Sequence, residues 1–259
     1  MLKIMTSNIR FSSPHDGVNA WDMRKEMLSK VIKNFAPHIL GTQEGREPQL
    51  RELHKLISEY SIVDYHRDWI EERMYPCLFI NSEILDVLES GDIWLSETPH
   101  IPGSHSFESA FPRLCTWAKL THKELRQNFF CINTHLDHVK TETRQKQIRV
   151  MMNEIKNKNL DNLPVIFMGD FNESPFGETR KIMLNEMNLI DPWIIKGQEE
   201  ETTYHKFRGM LSEKDGGARI DWIMLSNNFQ VESIEIEKYQ EEGRFPSDHF
   251  PVKAIINKI

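Results

Sequence analysis

The feature that most constrains this chain is a pattern that occurs twice: an apolar strand, a helix, a second apolar strand, then an acid. Residues 2–9 (LKIMTSNI) read as a strand with Asn8 near its end. Residues 21–35 carry helical periodicity through Trp21, Met27, Leu28, Val31, Ile32 and Phe35, and Pro37 stops that helix. HILGTQE is then a buried strand running into Glu44. In the second unit a β-rich run over 114–136 passes Thr134, residues 141–157 form a polar amphipathic helix, and PVIFMGD ends at Asp170. Asn8 and Glu44 lie 36 positions apart, and so do Thr134 and Asp170. Packed sheet on sheet, two such units bring four strand ends to one rim. The expected fold is therefore α/β, a four-layer αββα sandwich with two mixed sheets face to face and helices outside.

The rest of the chain fits that frame. Residues 49–59 and 177–187 read as helices. Residues 77–95 are β-rich with turn residues at Glu89-Ser90-Gly91, and a second turn falls around Lys123–Asn128. ARIDWIML, FQVESIEIE and FPVKAIINK supply three late strands. With no Gly/Ser linker, low-complexity tract or tandem repeat, one domain over 1–259 is the simplest division. The polar segment 201–219 is long and aperiodic, and reads as a lid leading to Asp221, with disorder as the alternative.

Composition narrows the partners. The net charge is −7, with 32 basic against 39 acidic residues. A protein that grips duplex DNA carries a basic face, so this balance speaks against a non-specific nuclease. No apolar stretch approaches the roughly 18 residues a membrane helix needs, and no basic-then-apolar leader precedes the first strand. The three cysteines, Cys77, Cys115 and Cys131, show no metal-binding spacing. Reduced thiols in a cytoplasmic protein are expected, with Cys115 and Cys131 facing each other across a hairpin.

Six segments place polar or ionisable residues at apolar strands: TSNI (Asn8), GTQE (Glu44), INTHLD (His135, Asp137), MGDFN (Asp170, Asn172), RIDWI (Asp221) and PSDH (Asp248, His249). Each has an ordinary explanation alone. A single Asp after a strand is usually a turn or cap residue, and a single His is usually hydrogen-bonded structure. Asp221 inside an apolar strand is costly unless paired or bound to a cation. Together they supply oxygen ligands for a hard divalent cation, a water activator and imidazoles near a phosphate.

The ordered set Asn8, Glu44, His135, Asp170-Phe171-Asn172, Asp221 and Asp248-His249 resembles the endonuclease/exonuclease/phosphatase (DNase I-like) superfamily over nearly the whole chain. The resemblance implies that Glu44 is the main metal ligand, with Asn8 and Asp248 contributing directly or through water. It implies Mg²⁺, with Mn²⁺ as a substitute. It makes Asp170 the base for the attacking water and lets Asn172 bind that water or a phosphoryl oxygen. His249, held by Asp221, contacts the phosphate, and His135 stabilises the developing charge. DG-x-NAW-x-x-RK and W-LSETP resemble a bacterial branch of small stand-alone members, maltose 6′-phosphate phosphatases among them.

Further substrate contacts are expected from Arg113, which is placed to reach a phosphate, with a surface salt bridge as its alternative. Tyr204 and His205 are the other candidates, together with Asp137 and His138, which are either specificity residues or solvated ones. Asp16, Asn19 and Arg24 form an expected rim, whereas Trp21 reads as a core anchor. Acidic groups at Asp16, Asp137, Glu199, Glu200, Glu201, Glu213 and Asp215 are expected to repel neighbouring phosphates and favour a small sugar phosphate over a polyanion. A nuclease or phosphodiesterase on the same scaffold, and a non-catalytic binding protein, are the alternatives.

Overall fold

The computed structural model describes residues 1–210 and 217–258. Two six-stranded mixed sheets form the centre. The first runs, in spatial order, β11 (Phe229–Ile236), β12 (Val252–Lys258), β1 (Leu2–Asn8), β2 (Ile39–Gly45), β4 (Tyr75–Asn81) and β3 (Tyr60–Ile62). The second runs β5 (Leu85–Trp94), β6 (Leu114–His122), β7 (Gln127–His135), β8 (Val165–Asp170), β10 (Asp221–Ser226) and β9 (Leu189–Ile190). The parallel pairs β1–β2 and β7–β8 occupy equivalent central places, bridged by α1 (Trp21–Phe35) and α3 (Thr141–Lys158). They are the two repeated units.

Side-chain alternation builds the layers. Ile4, Leu78, Cys131 and Met168 face the other sheet, while their neighbours Met5, Phe79, Ile132 and Phe167 face outward. Outward residues of the first sheet pack on Leu28 and Ile32 of α1 and on Leu50 and Leu53 of α2 (Glu47–Leu56). Those of the second pack on Ile148 and Met151 of α3 and on Met183 of α4 (Glu178–Glu186). This is the αββα order. A short helix, α5 (Pro192–Ile195), lies between β9 and β10.

The helix over 21–35 has the expected bounds because Ala36 turns left-handed (φ 49°) directly before Pro37. Elsewhere the expectations need correcting. Glu89-Ser90-Gly91 is no turn: it sits inside β5 next to a register shift, with Gly91 against the Trp117 indole. Turn-prone residues there serve a β-bulge. Cys115 opposes Thr134 and Cys131 opposes Ala118, so the two thiols point to opposite faces of their sheet. All three cysteines are free and buried. Asp221 begins β10 rather than lying inside a strand. No helix among the described residues is long and apolar enough to cross a membrane.

Candidate active site

The parallel pairs deliver their last residues to one rim. His135 lies beside Asp170 in register, and Asn8 lies beside Gln43, one residue before Glu44. Glu44 is re-aimed by a register shift between Thr42 and Gly45, where it takes a left-handed backbone (φ 67°). Asn172 is also left-handed (φ 50°). Such outliers in non-glycine residues concentrate at functional sites. Gly169 is required by geometry. It has φ 150°, and a Cβ there would lie 2.2 Å from the Thr134 carbonyl oxygen. Gly169→Ala is therefore expected to cost about 2 kcal/mol or more of stability, read from denaturant midpoints. An unchanged midpoint would contradict this close approach.

A connected network links the rim. Asn8 Nδ2 donates to Glu44 Oε1 at 3.2 Å and to Asp170 Oδ2 at 2.9 Å, and its Oδ1 accepts from Arg10 N. Asp170 Oδ1 accepts from Asn172 N at 2.9 Å. His135 Nε2 stands 3.4 Å from Asp170 Oδ2, and His249 Nε2 3.9 Å. On its other side His249 Nδ1 donates to Asp221 Oδ2 at 2.8 Å.

Burial and charge then separate the titrating groups. Burial lowers the pKa of His135 far below its ordinary value, helped by Arg113 and His249, so this ring is neutral. Burial also disfavours a charged His249, but Asp221, Asp170 and Asp248 outweigh it and raise its pKa to about 10. Burial followed by the Asp221 charge lifts Asp170 to about 7, against the pull of His249 and Asn8. Burial also raises Asp248. One cationic imidazole, one neutral imidazole and a carboxylate tuned to mid-range thus share one rim.

Beneath the rim, buried polar ties hold the two sheets in register. Gln43 Nε2 donates to Asn133 Oδ1 at 2.7 Å, and Asn133 Nδ2 donates to the Thr42 and Cys77 carbonyls. Thr203 Oγ1 accepts from Ile220 N and Asp221 N, while its carbonyl accepts from Phe250 N at 2.7 Å. Both segments that carry the Asp221–His249 pair, the start of β10 and the stretch before β12, are thereby tied to Thr203.

A cleft of about 450 Å³ opens over this rim. Glu44, His135, Asp170, Asn172, Asp248, His249, Arg113 and Tyr204 all line it. Asn8 and Asp221 stand directly behind, each bonded to a lining residue. Arg113 is only 6% exposed and bonds His138 Nδ1 at 3.3 Å, and its Nε has no partner. Tyr204 packs on His249 with ring centroids 4.7 Å apart. A larger cavity of about 540 Å³ lies where β8 begins, lined by Met152, Ile155 and Leu163 among others, and contains none of these groups.

Two substrate candidates do not reach the cleft. Asp137 is fully buried, its oxygens taken by the amides of Ala110, Val139 and Lys140 and by the Ser109 hydroxyl. His205 is fully buried, stacked on Phe250, with Nδ1 accepting from Gly209 N, and burial lowers its pKa to about 3. Arg24 is no rim residue: it is buried and donates to the carbonyls of Ile9, Arg10, Asn19 and Pro246. Trp21 is buried, with Nε1 on Glu52.

Three acids of the expected rim are neutralised by basic partners. Asp16 pairs with Arg10, Glu200 with Arg219 and Glu201 with Lys238. Of the expected lid, Glu213 and Asp215 lie outside the described residues, while Thr203 and His205 are packed in the interior. His138, a specificity candidate beside Asp137, lines the cleft, and so do Arg10, Phe11, Arg46 and Phe111, which were not singled out from the sequence. Arg10 follows the TSNI strand directly, which was the one available signal.

The Endonuclease/Exonuclease/phosphatase family model matches residues 5–249. The chain belongs to this family. Its fold agrees with a family member from Bacteroides vulgatus at 29% identity and TM-score 0.91, covering 100% of this chain and 99% of that one. A Bacteroides thetaiotaomicron mannosyl-6-phosphatase matches at 25% identity and TM-score 0.86, covering 99% and 100%. The human Nocturnin catalytic domain, at 22% identity and TM-score 0.77 over 100% and 93%, shares the fold. No curated protein matches by sequence. This is a family of phosphoesterases and nucleases, and the rim described above has the groups that phosphoester hydrolysis needs.

Proposed function

We propose that this chain is a Mg²⁺-dependent phosphatase, with Mn²⁺ as a substitute, acting on a small phosphorylated metabolite such as a sugar phosphate. The observation that carries this reading is the placing of Asp170, tuned to about 7, with cationic His249 and Arg113, which pairs with no carboxylate among the described residues, on one cleft. Together they offer one proton acceptor and two cations, enough for a single phosphoryl group. The mannosyl-6-phosphatase likeness supports the substrate class.

The donor set fits a hard cation. Glu44 and Asp248 are carboxylates in the cleft and Asn8 adjoins Glu44. All three offer oxygen, and no thiolate lines the cleft. Asn8 would contribute through Oδ1 or a bridging water, since its Nδ2 serves the two carboxylates. Bound there, the cation neutralises charge on the phosphoryl oxygens. Among the described residues, Asp170, Asp221 and His249 also cluster tightly, but the 2.8 Å Asp221–His249 bond already accounts for that group.

The residues divide the work as follows. Asp170 orients the attacking water and takes its proton, at a pKa suited to a base near neutral pH. His249 gives Nδ1–H to Asp221 and turns Nε2–H to a phosphoryl oxygen. Arg113 adds a second donor, Asn172 contacts the water or an oxygen, and His135 stabilises charge as the leaving oxygen departs. Tyr204 packs His249 in place. We take residues 1–259 as one catalytic domain working on a soluble metabolite in the cytoplasm.

Purified protein should release phosphate from sugar monophosphates, lose that activity in excess chelator and regain it with Mg²⁺ or Mn²⁺. Undiminished turnover in chelator would sink the metal assignment. Salt-sensitive oligonucleotide cleavage without release from any small monoester would establish the nuclease reading instead. Inactivity on both substrate classes with Mg²⁺ would leave the non-catalytic alternative.

A further inference from the structure

The proposed chemistry uses the floor of the cleft and leaves its walls unassigned. On one wall Phe11 carries the guanidinium of Arg10 at 4.2 Å from its centroid and that of Arg46 at 5.3 Å. Arg46 Nη1 pairs at 2.8 Å with Glu72, which lies in an adjoining cavity of about 380 Å³ that Arg46 also lines, and the buried Nε of Arg46 has no partner among the described residues. Phe111 also lines the cleft, with its ring stacked on His138 (5.8 Å, 16°) and 46% of the residue exposed. Phe111 is thus an apolar ring in contact with His138 and the Arg113 guanidinium (5.8 Å from its centroid), and still partly open to solvent.

Resting on the phosphatase reading above, we infer that Phe111, with the Arg46–Glu72 pair, forms the leaving-group subsite and selects a pyranose ring over a nucleoside. A pyranose presents an apolar C–H face and a girdle of hydroxyls. The face covers Phe111. The hydroxyls need donors and acceptors side by side. Arginine supplies only donors, and the carboxylate beside it supplies only acceptors. A nucleobase stacks best between two open aromatic faces. Here Phe11 carries two guanidinium groups, and Phe111 carries His138 and the Arg113 guanidinium at 5.8 Å, so the cleft offers no pair of open aromatic faces among the described residues. Phosphate binding stays with His249, Arg113 and the metal ligands, so these wall residues act on the ring without touching the reacting atoms.

The test is steady-state kinetics with a hexose 6-phosphate and a 5′-nucleoside monophosphate, with inorganic phosphate as a competitive inhibitor. Arg46→Ala, Glu72→Gln and Phe111→Ala are expected to raise KM for the hexose phosphate about tenfold and to change kcat by less than about twofold, because binding common to ground and transition states is lost. The inhibition constant of inorganic phosphate, which has no ring, should not move. Glu72→Gln keeps shape and lies on an exposed side chain, so its effect does not depend on refolding the wall. An equal loss for inorganic phosphate, or no change in KM, overturns the subsite. Preference for the nucleotide, abolished by Phe111→Ala, overturns the choice of ring. If the unmodified protein hydrolyses no monoester at all, the phosphatase reading itself falls and takes the subsite with it.

Discussion

Asp170→Asn is expected to lower kcat by about 10³-fold, within the range that positioned general bases contribute. The replacement keeps the side-chain shape, and its Oδ1 still accepts from Asn172 N, so the fold around Gly169 is retained. What is lost is the proton acceptor and one of the charges that favour cationic His249. The comparison is Glu44→Gln, which removes charge from the proposed metal site and should chiefly raise the Mg²⁺ concentration needed. Turnover at saturating Mg²⁺ and substrate separates the two variants. If Asp170→Asn turns over near normally under those conditions, the base lies elsewhere.

Asp221→Asn is expected to lower kcat by about 10²-fold and to change the ionisation of His249. In the native site burial opposes the imidazolium and Asp221 overcomes it, giving a pKa near 10. With Asp221 neutral the desolvation remains, and the ring titrates far lower. Only Asp170 and Asp248 then favour the imidazolium, so its share at pH 7 falls and the phosphate meets less cation. The sign for stability follows from the raised pKa. Folding contributes this stabilisation fully below the unfolded histidine's ordinary pKa of about 6.5, and loses it as pH rises towards 10. The metal-free wild-type protein should lose stability across that window on this account, whereas Asp221→Asn should not. An NMR titration of the His249 ring in both proteins checks the cause directly. A ring pKa unchanged by the substitution would show that Asp221 does not set it.

Phosphate chemistry is legible here because its residues sit where the pattern of the chain changes. Asn8, Glu44, His135 and Asp170 each lie in the last two residues of an apolar strand, and Asp248-His249 stand just before one, β12; such strands have one end at the sheet's rim. The Asp221–His249 pair was expected on family resemblance and is present at 2.8 Å.

The substrate-side residues were less legible. Asp137 and His205 are polar and close in sequence to site residues, yet both face inward: the Asp137 carboxylate is held by the amides of Val139 and Lys140 just before α3, and His205 points away from its neighbour Tyr204 to pack on Phe250. His205 follows Tyr204, which pairs with His249 at a β-bridge and lines the cleft. Asp16, Glu200 and Glu201 are spent on arginine and lysine partners that the linear order does not reveal. Arg24 reads as a surface cation but closes four backbone carbonyls, from segments as distant as Asn19 and Pro246.

Sequence by itself determined the two strand–helix–strand units, the sandwich they build and the groups at its strand ends, since apolar periodicity and strand termini are local properties. The bulge that turns Glu44 into the cleft, the separation of His135 and His249 into neutral and charged rings, and the Phe111 and Arg46 walls were decided only by the tertiary structure. Each depends on burial and on charges brought together from distant parts of the chain, and neither is encoded at any single position.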